Sequence, residues 1–519
     1  MVDSRPPRKA HTAATPTEAM PEQTASAPGA PCEGRSAFDR IVLGAPGAVL
    51  LGLLLCLYVA MLDRHGYWYD ELMTLFAVRL PLREMVEERL AAGHPPGYFS
   101  LTWLWARIAG EREAALRLPT LLYVLGSAAL LHRIVGRLVD ARSARLALLL
   151  FLLGPFELGM AHVARPYALV QLMALALTAL VLQAEERPTR RDPFLVGALA
   201  CALLATHYSA LLLLPGVLVY LLFRHPQGGR LSAALVAGAA LAAPFAVVTA
   251  RLRTPLGAIE WLGDPALASF LEILAEQTTN LEWQIQHPWL GPVTAVPLVA
   301  GAALGARVLG SRGWILVAGW LGPLVAGLIA EAFGAPNILG VSRYWVGPLA
   351  HQTGLLAVGL AALARRRPAV GALAVALVAG TALAGSLTTA RHDHPPDWRA
   401  LARTVEDQRR PREPIAVDLD APRWTLWQHY VPTDCYDLAA LDAGLRPRLH
   451  AGATSPHALG QQAAPRPLRD APSVLVYFRA RPQGEAARWL GTLQRYFPHR
   501  SELQAPVGTL WRLSRKAEP

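Results

Sequence analysis

The chain has 519 residues, of which 53% are hydrophobic and 17% are charged, and its formal net charge is +11. This is too apolar and too poor in charge for a soluble protein of that length, so the composition excludes that class. Nearly all of the basic residues are arginines, and many of these lie in short loops between apolar runs. That placement is typical of the loops that orient membrane helices, and it does not favour nucleic acid as a partner.

Residues 1–36 are rich in Pro, Ala, Thr and Glu without apolar periodicity, which predicts a disordered tail. Residues 37–390 are predicted to form a transmembrane domain. Its apolar runs are long enough to cross about 30 Å of hydrocarbon as helices. They lie near 41–62, 116–136, 146–161, 167–184, 194–207, 209–223, 231–250, 289–306, 314–332, 344–364 and 368–389. The sequence therefore predicts about eleven transmembrane helices.

Arginines occupy every second loop between these runs, as in RRR at 365–367. Because cytoplasmic loops carry an excess of Lys and Arg, the pattern predicts a cytoplasmic N-terminus and an extracytoplasmic C-terminus in a bacterial cytoplasmic (inner) membrane. A long outer loop is then expected at 63–115. Within it, the amphipathic stretch 81–92 and the short apolar stretch 98–110 are predicted to lie at the membrane interface.

Residues 391–519 have a different composition and are predicted to form a small extracytoplasmic α/β domain. Helices are predicted at 397–408, 424–431 and 485–497, and strands at 414–420, 473–478 and 507–514. This alternation of helix and strand favours a largely parallel sheet. The predicted fold class is thus an α-helical polytopic membrane protein with a small α/β domain outside.

Polar and charged residues gather at the outer ends of the predicted helices, where they are costly and therefore candidates for function. They are Asp70, Glu71, His94, His162, Arg165, His207, Tyr208, Arg343 and Tyr344. Although far apart in sequence, they share one membrane level, so a single outer-leaflet site is predicted.

Such a set suits the transfer of a sugar from a polyprenyl phosphate. The leaving phosphate has a second pKa of about 6, so it departs without a strong general acid. Arginine forks stabilise its charge, and one carboxylate can take the proton of the acceptor hydroxyl. Neighbouring residues on a helix diverge by about 100°, so Asp70 and Glu71 do not form the facing carboxyl pair of a retaining glycosidase. The expected reaction is an inverting single displacement.

Several segments in this order resemble the bacterial branch of glycosyltransferase family 39, in the GT-C class, which is related to protein O-mannosyltransferases and to the lipid A aminoarabinose transferase. They are YWYDE (67–71), HPPGYF (94–99), ALRLPTLLYVLG (115–126), ARPYAL (164–169), THYSALLL (206–213), SRYWVGPLA (342–350) and DWRALA (397–402). The resemblance covers roughly residues 41–410. It implies a polyprenyl-phosphate sugar donor, a lipid, glycan or protein acceptor, and membrane lipids as surroundings.

By this resemblance Asp70 is the catalytic acidic residue. Its acidic neighbour Glu71 is assigned to the catalytic group as well. Arg165 and Arg343 match positions that bind the donor phosphate. His94 stands where some relatives carry a lysine that contacts this phosphate, which is a departure from the family pattern. His162, Tyr167, His207 and Tyr344 are expected to lie behind these residues and to hold them in place without contacting the substrate.

A metal is not carried over from the resemblance. In the aminoarabinose transferase a glutamate precedes the lysine and helps to hold a metal, whereas this chain has Gly93 there. The sequence therefore supports neither a divalent metal nor another cofactor.

Alternative interpretations stay open at this point. Asp70 and Glu71 are also what a helix N-terminus favours, and the two arginines also suit anchors at lipid headgroups. A lipid or solute transporter or flippase would need polar residues near the midplane, internal repeats or broken helices. The mid-helix positions are mostly Ala, Leu, Val and Gly, so glycosyl transfer is preferred. A catalytically inactive scaffold is the third interpretation.

Overall fold

The structure, a computed structural model, describes residues 44–252, 273–276, 278–279, 284, 287, 289–333, 339–391, 398–411, 413–418, 430, 435–437, 471–478, 490–491, 493–505 and 508–517. The predicted tail 1–36 and, apart from Tyr430, the predicted helix 424–431 lie outside these residues.

The described part of the chain is predominantly helical. In chain order the helices are α1 (Ala45–Ala60), α2 (Tyr69–Arg79), α3 (Leu82–Ala91), α4 (Gly97–Ala109), α5 (Glu113–Leu138), α6 (Ala141–Leu153), α7 (Pro155–Ala161), α8 (Tyr167–Glu186), α9 (Asp192–Thr206), α10 (Leu213–Arg224), α11 (Gly228–Leu252), α12 (Leu290–Leu309), α13 (Trp314–Ala332), α14 (Val346–Arg366), α15 (Pro368–Arg391) and α16 (Trp398–Gln408). Short 3₁₀ turns at Tyr208–Leu212, Gly310–Gly313 and Ser342–Trp345 precede α10, α13 and α14. The polytopic helical fold predicted from the apolar runs is confirmed.

Within the described residues, six helical segments are long and apolar enough to cross a membrane, and Leu290–Ala332 counts as one of them. The bent pair α6 and α7 adds a seventh candidate, and three shorter apolar helices lie at Ala45–Ala60, Asp192–Thr206 and Tyr208–Arg224. The predicted number of about eleven spans stays unconfirmed.

The prediction of one continuous helix over 146–161 is wrong. The chain bends by 65° between α6 and α7. Gly154 is extended, with φ −64° and ψ 126°, because the following Pro155 disfavours helical backbone at the residue before it. Proline also lacks the N–H that would continue the ladder, so Pro155 begins a new helix instead.

Helix α14 lies at the centre of the bundle. Of the apolar, membrane-length stretch within Ser342–Arg366, 94% is buried. Glycines allow close contact with α12: a Cβ at Gly305 would lie 1.8 Å from the carbonyl oxygen of Leu355, and one at Gly359 would lie 2.1 Å from that of Gly301. Small residues at such crossings are how helices associate in lipid. This contact fixes α14, whose first residue directly follows the Ser342–Trp345 turn.

The predicted outer loop 63–115 contains α2, α3 and α4. The amphipathic helix expected at 81–92 is confirmed, and 98–110 is helical as well. The position of both at the membrane interface stays a prediction. Met85 and Phe99 are fully buried in one apolar cluster with Leu169 of α8. The outer helices therefore pack on the end of the bundle and bring their polar residues towards it.

The described part of the C-terminal domain contains α16, a five-stranded sheet and further helical residues at 490–491 and 493–496. The strands are β1 (Ile415–Asp418), β2 (Cys435–Asp437), β3 (Ser473–Phe478), β4 (His499–Leu503) and β5 (Thr509–Ser514), in the spatial order β2-β1-β3-β5-β4. The β2–β1 and β1–β3 pairs are parallel, whereas β3–β5 and β5–β4 are antiparallel. The expectation of a largely parallel sheet is therefore correct for β2, β1 and β3 but wrong for the pairs that β5 forms with β3 and β4. β4 is followed directly by β5, and Gly508, with φ 74°, lies in the connection that reverses the chain.

Candidate active site

Asp70 and Glu71 lie in the first turn of α2, whose N-cap is Trp68. Glu71 is fully buried, whereas Asp70 is half-buried. The Glu71 carboxylate accepts the backbone N–H of Trp68 at 3.3 Å, so it helps to cap the helix from within. The one-residue offset along the helix thus separates the two acidic groups, as the sequence analysis predicted.

Glu71 forms a buried ion pair with Arg117 of α5. Arg117 Nε donates to Glu71 Oε1 at 2.8 Å and Nη2 donates to Oε2 at 2.7 Å. Ala164 N donates to Oε1 at 2.9 Å. A carboxylate with no exposed surface and this many donors is in no position to take a proton from an acceptor. The geometry therefore does not favour the predicted catalytic role of Glu71 and indicates a structural one.

Arg117 was not among the predicted site residues, although it lies in the ALRLPT segment. Besides its bonds to Glu71, Nη1 donates to the carbonyls of Leu62 and His65 at 3.1 and 2.8 Å, and Nη2 donates to that of Gly66 at 2.9 Å. All five N–H groups of its guanidinium are thereby used. Arg117 shapes the turn before α2, and nothing in its local sequence indicates partners some 50 residues away.

Asp70 has a different environment. Its backbone carbonyl accepts from Arg165 Nη1 at 3.3 Å and from Thr74 Oγ1 at 3.3 Å. Within the residues that the structure describes, its carboxylate forms no hydrogen bond and no ion pair. The acid predicted to be catalytic is therefore the one with free accepting capacity.

Arg165 follows α7 and is buried against the ring of Phe99, with 5.8 Å between the guanidinium carbon and the ring centroid. Its Nε is buried and has no hydrogen-bond partner among the described residues. A buried guanidinium donor without a partner is costly unless another group accepts from it. This guanidinium therefore suits an anionic ligand.

Arg343, Tyr167, His207, His94 and Tyr344 surround the same space. The guanidinium carbon of Arg343 lies 5.9 Å from the Tyr167 ring centroid. The His207 ring is 5.4 Å from Tyr167, 5.4 Å from Tyr344 and 6.1 Å from His94, centroid to centroid. Five separate parts of the chain thus bring seven of the predicted site residues, namely Asp70, Arg165 and these five side chains, into one outer cluster.

The two histidines of this cluster are neutral at neutral pH. Burial, and then the Arg165 guanidinium, lower the pKa of His94 well below its usual range. Burial and the two arginines lower the pKa of His207 to about 3. The Ser209 backbone N–H donates to His207 Nδ1 at 3.2 Å, so the neutral ring carries its proton on Nε2. The positive charge of this cluster is therefore on the arginines, not on His94.

His162 is not part of this cluster. Its Nδ1 lies 2.6 Å from the carbonyl oxygen of Leu158, and its Nε2 lies 2.7 Å from that of Tyr58. The ring therefore joins α7 to the end of α1, next to the pair of Glu71 and Arg117. Within the described residues, no group of three His, Cys, Asp or Glu side chains able to hold a metal occurs.

Comparison with known proteins finds a matching family profile and a similar fold. The profile of a family described as dolichyl-phosphate-mannose-protein mannosyltransferase matches residues 93–252. The fold is similar to the crystal structure of ArnT from Cupriavidus metallidurans in the apo state, with 13% identity, a TM-score of 0.53, and coverage of 91% of this chain and 99% of that one. No curated protein matched the chain.

Two further structures match with lower TM-scores. ArnT from Cupriavidus metallidurans bound to undecaprenyl phosphate is 18% identical, with a TM-score of 0.45 over 91% of this chain and 99% of that one. The archaeal oligosaccharyltransferase AglB from Archaeoglobus fulgidus, in complex with an inhibitory peptide and a dolichol-phosphate, is 12% identical, with a TM-score of 0.45 over 75% and 64%. The fold comparison accordingly rests on apo ArnT.

The family match over residues 93–252, together with the shared fold, supports a membrane glycosyltransferase of the GT-C class. The class indicated by the sequence resemblance is thereby confirmed.

Proposed function

We propose that the protein transfers one sugar from a polyprenyl-phosphate donor to an acceptor hydroxyl on the outer face of a bacterial cytoplasmic membrane, by an inverting single displacement. The observation that carries this proposal is the contrast within one cluster: Asp70 has a carboxylate without a partner among the described residues, and the adjacent Arg165 is buried with an unpartnered Nε. The Asp70 carboxylate can accept a proton, and the Arg165 guanidinium can stabilise negative charge.

In the proposed reaction Asp70 takes the proton of the acceptor hydroxyl as its oxygen attacks the anomeric carbon. The bond from that carbon to the donor phosphate oxygen breaks, and the polyprenyl phosphate leaves with the electron pair. A phosphate diester becomes a monoester and gains negative charge, so a guanidinium stabilises the transition state more than the ground state. Arg165 and Arg343 supply this stabilisation, while Glu71 is reassigned from catalysis to holding the turn.

Around these charges the aromatic rings of Tyr167 and Tyr344 and the neutral imidazoles of His94 and His207 form the walls of the site. Neutral rings add hydrogen-bonding capacity without adding charge. They also keep water away from the arginines, which strengthens the interaction of a guanidinium with phosphate.

The test is Asp70→Asn in membrane vesicles supplied with a panel of polyprenyl-phosphate sugars. Loss of a general base lowers turnover about 10²–10⁴-fold, while the substitution preserves shape. Glu84→Gln, an exposed acid on α3, is the matched control and should keep full activity. Near-normal turnover in Asp70→Asn would remove Asp70 from the mechanism and favour a helix-capping role.

The transporter alternative has one observation in its favour. Helices α6 and α7 form a broken pair, and α7 buries Glu157, which the sequence analysis overlooked among the apolar positions. However, Gln171 Nε2 donates to both Glu157 oxygens at 2.9 and 3.0 Å and to the Val346 carbonyl at 2.9 Å. This pairing favours a structural role. Vesicles that move a labelled polyprenyl-phosphate sugar across the bilayer without transferring the sugar would reverse the preference.

Sidedness is tested with a reporter that is active only outside the cytoplasm. Fused after residue 390 it should give signal, and fused in the predicted cytoplasmic loop 185–193 it should give none. The opposite result would move every proposed site residue to the cytoplasmic face.

A further inference from the structure

We propose that the C-terminal domain positions the catalytic turn: α16 and Tyr430 hold residues 62–68, the segment that leads into α2, and so fix Asp70. This inference rests on the proposed function, because it assigns to the domain a part in the reaction of Asp70. It concerns side chains that neither touch the outer cluster nor were among the predicted site residues.

The first contact comes from Arg399 in the first turn of α16. Its Nη2 donates to the carbonyls of Asp63 and Arg64 at 2.7 and 3.2 Å, and its Nη1 donates to Asp63 Oδ1 at 3.1 Å. The ion pair with the exposed Asp63 side chain contributes little by itself. The two carbonyl bonds matter more, since they fix backbone in a segment between α1 and α2 that is itself neither helix nor strand.

The second contact comes from Tyr430. Its hydroxyl accepts the backbone N–H of Tyr67 and donates to Glu113 Oε1 at 2.9 Å. The Tyr67 hydroxyl in turn donates to the Glu111 carbonyl at 2.7 Å. Tyr67 is therefore held both by its backbone and by its side chain, three residues before Asp70.

Apolar packing joins the two parts as well. Trp398, Leu401 and Val405 of α16 share one buried cluster with Tyr67 and with Leu72 of α2. Burial of this kind stabilises at roughly 25 cal/mol per Å² of apolar surface. The domain is thus packed on the helix that carries Asp70.

The same segment is also held by Arg117 of α5, whose five guanidinium donors are all in use. Arg117 binds the carbonyls of residues 62, 65 and 66, and Arg399 binds those of residues 63 and 64. Five successive carbonyls are thus fixed, three from the membrane domain and two from the C-terminal domain. Removal of the second set should loosen the turn while leaving the donor phosphate site intact.

The experiment uses Arg399→Gln and Tyr430→Phe in the full-length chain, with Arg403→Gln, an exposed arginine on the same helix, as the control. Misplacement of a catalytic group by about 1 Å lowers turnover up to about 100-fold. We expect kcat to fall about 10- to 100-fold in both variants, KM for the polyprenyl-phosphate sugar to stay within about twofold, and the control to behave as wild type.

Hydrogen exchange provides the readout that is independent of activity. The peptide covering residues 62–72 should exchange faster in both variants, with Tyr67 N–H the most affected in Tyr430→Phe, while exchange in α5 and α8 stays unchanged. Wild-type kcat and wild-type exchange in both variants would overturn the inference. A wild-type protein with no transfer activity, but with faster exchange in the variants, would contradict the proposed function while leaving the positioning contacts supported.

Discussion

Arg117 and Arg165 are both buried, but their environments are opposite. Arg117 uses all five donors on the Glu71 carboxylate and three carbonyls. Arg165 has an Nε without a partner among the described residues, next to an Asp70 carboxylate in the same condition. The supporting side of α2 is therefore saturated with hydrogen bonds, whereas the site side retains capacity for a ligand. Two buried residues of the same type thus differ in how far their hydrogen bonds are satisfied, and this difference is the basis of the roles proposed for them.

The largest expected effect concerns the buried ion pair of Arg117 and Glu71, in which every guanidinium donor is used. Arg117→Ala leaves Glu71 buried without its counter-charge, and breaking one partner of a buried pair costs about 3–5 kcal/mol. We expect a large fall in the melting temperature in detergent, or loss of folded protein. The double variant Glu71→Gln with Arg117→Met removes both charges, and it should recover part of the lost stability. If Arg117→Ala melts like wild type, the saturated pair is not a structural element.

The next effect tests the unsaturated side. Arg343→Lys keeps the charge but loses the planar fork, so turnover should fall about 10- to 100-fold with little change in melting temperature. The control is Arg83→Lys, since Arg83 is an exposed arginine on α3 whose side chain is 89% exposed. A lipid-headgroup anchor would tolerate lysine. Wild-type turnover in both Arg343→Lys and Arg165→Lys would therefore place the phosphate elsewhere.

A smaller effect concerns pH. Burial and two arginines lower the pKa of His207 from 6.5 to about 3 in the folded protein. Below about pH 6.5 the unfolded chain therefore binds a proton at His207, whereas the folded chain does not. The contribution of this residue to the free energy of unfolding is complete above that pH and decreases as the pH is lowered. At about pH 5 the loss amounts to about 2 kcal/mol. The fall in melting temperature between about pH 7.5 and about pH 5 should be smaller in His207→Asn; an equal fall would show that the ring is solvated.

The smallest expected effect concerns a second arginine–glutamate ion pair, which is exposed to solvent instead of buried. Arg79 Nε and Glu111 Oε2 are 2.8 Å apart, with side chains 37% and 38% exposed. Exposed pairs contribute roughly 0–1 kcal/mol, so Arg79→Gln should shift the melting temperature only slightly, and less still at high salt. A loss as large as that in Arg117→Ala would mean that burial does not explain the difference between the two pairs.

The helices and the class of the protein were predictable from the sequence, because apolar runs of membrane length and the order of short motifs carry that information locally. The break between α6 and α7 was also present in the sequence as Gly154–Pro155, but the apolar run concealed it. Strand β4 was missed because His499–Leu503 is a mostly exposed edge strand of polar residues, without the apolar alternation that identifies a strand.

The candidate site was predictable in its membership but not in its division of roles. Asp70, Arg165, Arg343, His94 and His207 converge as expected. Glu71 could not be separated from Asp70, because its partner Arg117 is 46 residues away and only the fold brings the two together. Similarly, the roles of Arg399 and Tyr430 depend on contacts across 336 and 363 residues. Single-sequence patterns contain no signal at such separations.

Those separations also have a consequence for biosynthesis. A chain that emerges from the ribosome contains α1 and α2 long before residues 399 and 430 are synthesised. The segment 62–68, which leads to Asp70, therefore has its full set of contacts only after the last quarter of the protein has been made and has folded. The bundle can therefore be assembled while the active site is still incomplete. Under the positioning proposed above, catalytic competence becomes a late event in maturation, and a nascent chain in the membrane does not act on its donor prematurely.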